Sequence, residues 1–125
     1  KNALPTLTLE LKKIFENSTH YVFAIENDTV IGFARAIGDG VFNAAVYDVV
    51  VHADYQGMGV ARKLVEDLLE QLKEHSCIHL ISTTGNESFY KKLGFKECGR
   101  WHKARYHKGE SHDIIMMELF REDCK

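Results

Sequence analysis

The chain has little that would divide it and little that would send it somewhere unusual. It carries one proline in 125 residues, with no linker, internal repeat or low-complexity stretch, so a single compact domain is expected over residues 1–125. The three cysteines, Cys77, Cys98 and Cys124, are far apart, odd in number and without a C-x-x-C pair. Reduced thiols in a cytoplasmic protein are therefore expected. No apolar run approaches the roughly twenty residues that span a bilayer. The start also lacks a basic segment followed by an apolar one, so neither a membrane partner nor secretion is expected. A net charge of −2 without any Lys/Arg run lacks the electrostatic footprint of a nucleic-acid binder. Seven histidines are present, but H-E-x-x-H and Cys/His clusters are missing. His102, His107 and His112 are five apart and alternate faces on one strand, so no metal site is expected.

What is present is a core: 45% of the residues are hydrophobic, many of them Val, Ile and Leu. Leu4, Leu7, Leu11, Ile14 and Phe15 recur at helical spacing, with Pro5 where a first turn tolerates it. The apolar runs 21–25 and 30–37 flank Glu26-Asn27-Asp28 and read as a hairpin. Residues 44–52 form a third strand, and Val46-Tyr47-Asp48-Val49-Val50-Val51 within it is nearly continuous, which predicts cover on both faces. The period then changes. Ala61, Leu64, Val65, Leu68, Leu69 and Leu72 make one amphipathic stripe, followed by a strand over 77–82. Strand, helix, strand predicts a parallel pair with a right-handed crossover. Thr84-Gly85-Asn86-Glu87 has capping-box form, ahead of a short helix through Phe89, Tyr90 and Leu93 that Gly94 ends. Two last strands, 96–106 and 112–120, are joined by a turn at Lys108-Gly109-Glu110.

Chemistry enters at Tyr55-Gln56-Gly57-Met58-Gly59-Val60-Ala61, between the third strand and the striped helix. A helix start offers unpaired N–H groups and the positive end of the helix dipole, which suits a pyrophosphate. Gly57 and Gly59 allow the main chain to approach such an anion. Two glycines alone read equally as a flexible turn. The pattern is not a Walker loop, since no Gly-Lys-Ser/Thr follows, nor a dinucleotide fingerprint, whose third Gly would fall at Arg62.

Gln56-Gly57-Met58-Gly59-Val60-Ala61 resembles the Q/R-x-x-G-x-G/A motif of the GNAT acetyltransferases at every defined position. Val49-Val50-Val51 resembles the strand that runs into that loop, and Phe89-Tyr90-Lys91-Lys92-Leu93-Gly94-Phe95 the F-Y-x-x-x-G-F element downstream. Asp113-Ile114-Ile115-Met116-Met117-Glu118-Leu119 is similar to the last strand. Within the family, residues 34–51 and the short loop before Tyr90 look most like small bacterial and plant-type arylamine or serotonin acetyltransferase-like members. The resemblance implies an α/β domain: a twisted, mostly antiparallel mixed sheet with one parallel strand pair splayed apart, and flanking helices. It also implies that the family's first strand and the start of its first helix region are missing, in keeping with a start at Lys1-Asn2 and not at Met. Many members carry a cofactor-contacting Asn after the fifth strand. By count Thr83 occupies that place, and Asn86 lies too close to Tyr90 to match.

The implied activity is acetyl transfer from acetyl-CoA to a primary amine, by direct attack in a ternary complex. By resemblance, the N–H groups of Met58, Gly59, Val60 and Ala61 hold the pyrophosphate. The pantetheine arm lies along Val49, Val50 and Val51 like an added strand, and Thr83 takes the remaining cofactor contact. Tyr90, protonated at neutral pH, is the implied acid for the leaving thiolate; its position alone reads as a packed aromatic beside Phe89. Asp48, a carboxylate inside an apolar strand, is costly unless paired or functional. It is a base, an anchor for a substrate ammonium, or half of a salt bridge to Arg35. His52 reads as an exposed strand-end residue or a proton shuttle. Phe33, Tyr47, Trp101 and Tyr106 are candidates for an apolar acceptor pocket, with Arg105 beside them. A small-molecule amine is the expected partner, with a homodimer possible. The rival readings are a sensor that binds acetyl-CoA without transfer and an interaction module whose loop binds nothing.

Overall fold

The computed structural model describes residues 8–83 and 85–121, with only the backbone described at Thr83, at residues 104–107 and at His112. The first helix, α1 (Leu9–Glu16), is capped by Thr8, whose Oγ1 accepts from Leu11 N at 3.3 Å. The expected start of this helix around Leu4 lies outside the described residues. Phe15 anchors α1 through edge-on contacts to Tyr21, Phe23 and Phe33, with ring centroids 5.6, 4.8 and 5.1 Å away. Phe33, a candidate for the acceptor wall, is partly buried and packs against Phe15 of α1.

The strands β1 (His20–Glu26) and β2 (Thr29–Gly38) form the expected hairpin. Its turn residues Asn27 and Asp28 have φ of 50° and 63°, the left-handed pair that matches strand twist. β3 (Asn43–Val51) pairs antiparallel with β2 and parallel with β4 (Cys77–Thr83). Between β3 and β4 runs α2 (Val60–Gln71), the striped helix. Then follow α3 (Glu87–Lys92), β5 (Lys96–His107) and β6 (Glu110–Phe120). The described strands make one sheet in the order β1-β2-β3-β4-β6-β5, so the last strand inserts between β4 and β5.

Leu64, Val65, Leu68 and Leu72 are all buried. Such side chains contribute about 1.5–3 kcal/mol each when fully buried. Small residues beneath α2 (Ala34, Ala36, Ala44) let it lie close to the sheet, with Ile78, Leu80, Phe95, Ile115 and Met117 completing the cluster. The end of α2 is tied down by Arg121, whose guanidinium donates to the carbonyls of Leu69, Leu72 and His75. No local pattern pointed to that contact.

Three expectations change. Val46–Val51 reads as covered on both faces, but α2 packs on one face of β3, and Tyr47 is 57% and Val50 46% exposed. Asn86 occupies the cap position of α3, and Gly85 N donates to the Glu87 carboxylate at 2.5 Å; Thr84 lies outside the described residues. Cys77 is disulfide-bonded, against the expectation of reduced thiols, while Cys98 is free and exposed.

Candidate active site

The site begins where β3 parts from β4. Their parallel pairing covers only Asn43 to Val46 against Cys77 to Leu80. Tyr47 is an extra residue in β3: Ala36 pairs with Val46 and Arg35 with Asp48. Such a bulge bends its strand, and β3 and β4 diverge from this point. His52 N donates to Ile31 O at 2.7 Å, which sets the alternation of the β2–β3 ladder. In that register Val50 directs its N–H and C=O to β2, and Val49 and Val51 direct theirs into the gap. The Val51 carbonyl is already taken by the Gln56 side-chain amide at 3.0 Å. Gln56 therefore clamps the loop to its strand.

The loop descends through a 3₁₀ turn, Ala53–Tyr55, that His52 caps by accepting from Asp54 N at 3.1 Å. The cap accounts for His52 locally. Gly57 and Gly59 have φ of 79° and 83°, a conformation that costs any L-residue strain. A Cβ at either position would meet nothing within 4 Å, so backbone conformation, and not crowding, requires glycine. Gly59 caps α2 without a side-chain hydrogen bond, and the first turn holds no acidic residue. The N–H groups of that turn thus open outward with the dipole unopposed.

They open onto a cavity of about 590 Å³ lined by Val49, Val51, Tyr55, Gln56, Gly57, Gly59, Val60, Ala61 and Arg62 on one wall and Asn86, Ser88, Phe89 and Lys92 on the other. Two of the expected residues are not among those lining the cavity, although the expectation for Met58 concerns its backbone N–H and not its side chain. Val50 faces away with the Phe33 side of the sheet, and Met58, 69% exposed, borders a separate shallow groove beside Val22 and Lys63. The Thr83 side chain is not among those described. Asn86, discounted by spacing, lines the cavity because α3 folds back toward α2. Phe89, Ser88, Lys92, Arg62 and Tyr55 were also missed: they converge only when both helices are in place.

Tyr90 packs between Phe89 and Phe95, with centroids at 4.9 and 5.9 Å, against the main core. Burial pushes its phenol above the ordinary value of 10, so it stays protonated across the physiological range. Asp48 accepts from Arg35 Nε at 2.5 Å, and its side chain remains 42% exposed. Arg35 also contacts Ser18 Oγ at 3.2 Å and lies 5.2 Å from the Tyr47 ring centroid. The salt bridge anticipated for Asp48 is therefore present. Trp101 is 52% exposed opposite Ile114, while the side chains of Arg105 and Tyr106 lie outside the description.

A family model described as "Acetyltransferase (GNAT) family" matches residues 2–95. The chain belongs to the GNAT family. It is 42% identical over 94 residues to an uncharacterized N-acetyltransferase, ycf52, of Pyropia yezoensis, covering 68% of this chain and 54% of that protein. It is 48% identical over 67 residues to serotonin N-acetyltransferase 2, chloroplastic, of Oryza sativa subsp. japonica, covering 52% and 34%. A GNAT structure from Elizabethkingia anophelis with acetyl-CoA bound superimposes with a TM-score of 0.73 at 17% identity, covering 90% of this chain and 83% of that one. The chain thus spans about half the length, or less, of these curated relatives. The GNAT fold expected from the motifs is the fold observed. No described helix is long and apolar enough to cross a membrane.

Proposed function

We propose that the protein is an acetyl-CoA-dependent N-acetyltransferase acting on a primary amine of a small molecule. The observation that carries this reading is the uncapped start of α2, opening onto the cavity beside the freed edge of β3. The residues present fit the donor: Gly59, Val60 and Ala61 offer N–H groups to the pyrophosphate. Val49 and Val51 offer a strand edge to the pantetheine amides, as in β-augmentation. When bound, acetyl-CoA supplies the activated acyl group.

The chain's own residues then orient the thioester and manage protons. A Val49 N–H directed into the gap can polarise the thioester carbonyl. Tyr90 would serve as the proton donor to the departing thiolate and regain a proton from solvent. An amine held as its ammonium form would lose one proton to water before its nitrogen could attack and a second as the amide forms. Asp48, paired with Arg35 and still accessible, serves as the anchor for an ammonium head. Tyr47 beside it supplies apolar surface, which suits an amine with an apolar body. The name of the rice relative points the same way.

The test is thiol release from acetyl-CoA across a panel of arylalkylamines, aliphatic amines, aminosugars and basic peptides. Preference for arylalkylamines is expected. Preference for peptides or aminosugars removes the acceptor assignment, and acetyl-CoA binding without thiol release on any amine leaves the sensor reading.

A further inference from the structure

The cleft carries two cations in addition to the helix start that faces it. Arg62, in the first turn of α2, and Lys92, at the end of α3, line it from opposite walls, and none of the residues lining it is acidic. Among the described residues Lys92 makes no ion pair. Arg62 touches Glu66 through Nε at 3.2 Å, an exposed i,i+4 pair that leaves its terminal nitrogens for another acceptor. The neighbouring groove shows the contrast: its one cation, Lys63, is neutralised by Asp67 at 3.1 Å, and both line that groove. Asn86 and Ser88 add polar groups beside Lys92.

We propose that Arg62 and Lys92 form a subsite for the 3′-phosphate of the coenzyme, so that the cleft selects coenzyme A over its dephospho form. This rests on reading the cleft as a coenzyme A site. A phosphomonoester carries close to two negative charges at neutral pH, and two cations on facing walls match it in number. The guanidinium contributes paired N–H donors and the ammonium a point charge.

Calorimetric titration with coenzyme A and with dephospho-coenzyme A tests the proposal on the wild type, Arg62→Gln, Lys92→Gln, the double variant and Glu66→Gln. The wild type should bind coenzyme A roughly tenfold more tightly, by an amount that shrinks as salt rises. The double variant should bind both ligands as the wild type binds the dephospho form, while Glu66→Gln keeps or enlarges the preference. Equal wild-type affinity for the two ligands overturns the subsite. So does an equal loss for both ligands in the double variant, which assigns the cations to the pyrophosphate. If the wild type binds neither ligand, the cleft itself has been misread.

Discussion

The two halves of β3 are alike in composition and opposite in consequence. In the first half, Ala44 and Val46 are buried and the strand is paired on both sides, to β2 and to β4. In the second half, Val49–Val51 are paired to β2 alone, and Val49 and Val51 border the cleft. Apolar sequence therefore builds core where both edges are bonded and a binding edge where one is released. The bulge at Tyr47 marks the division.

Core truncation should give the largest change. Ile78→Ala, opposite Ala44 in the paired half and fully buried, should cost about 2–5 kcal/mol in urea unfolding. Val50→Ala in the released half, 46% exposed, should cost under about 1 kcal/mol. Similar losses at the two positions would erase the contrast. Next comes the loop: Gly59→Glu adds a side chain at φ +83° and a negative charge at the open helix start. Acetyl-CoA affinity should fall roughly a hundredfold, and undiminished thermal stabilisation by acetyl-CoA would move the site elsewhere.

Tyr90→Phe should lower kcat by roughly tenfold to a hundredfold, with acetyl-CoA affinity nearly unchanged, because a single proton donor is lost. Unchanged turnover takes Tyr90 out of the chemistry and leaves it as packing beside Phe95.

The smallest effect concerns the far end of the sheet. His20 stacks edge-on to His75 at 5.5 Å, and burial, then the His75 charge, lower its pKa from 6.5. A lowered histidine pKa means the unfolded chain binds more protons in this window. Stability should therefore decline as pH falls below about 6.5 and level off below the folded pKa. His20→Gln should flatten that slope slightly, the side chain being only partly buried. A slope unchanged by the substitution would assign it to other groups.

Much of the scaffold was legible from local rules. The α2 stripe at 3.6-residue spacing became the buried face of the helix, and Asn27-Asp28 the hairpin turn, because each depends on neighbours in the chain. The glycine loop was legible as well, since positive φ is a local demand. Less so was the cleft's second wall: Asn86 was set aside by its distance from Tyr90, Phe89 was legible as a motif position but not as a cavity wall, and Ser88 and Lys92 carried no signal of their own.

By itself the sequence determined the elements, the family motifs and a helix start suited to an anion, all of which follow from short-range periodicity and backbone preference. Tertiary structure alone decided that β6 lies between β4 and β5, that Val49 and Val51 face the gap while Val50 turns away, and that Asp48 meets Arg35. It also brought Arg62 and Lys92 to one cavity. Those outcomes depend on strand register and on the approach of two helices separated along the chain, and a one-residue change in register exchanges the faces of every side chain on a strand.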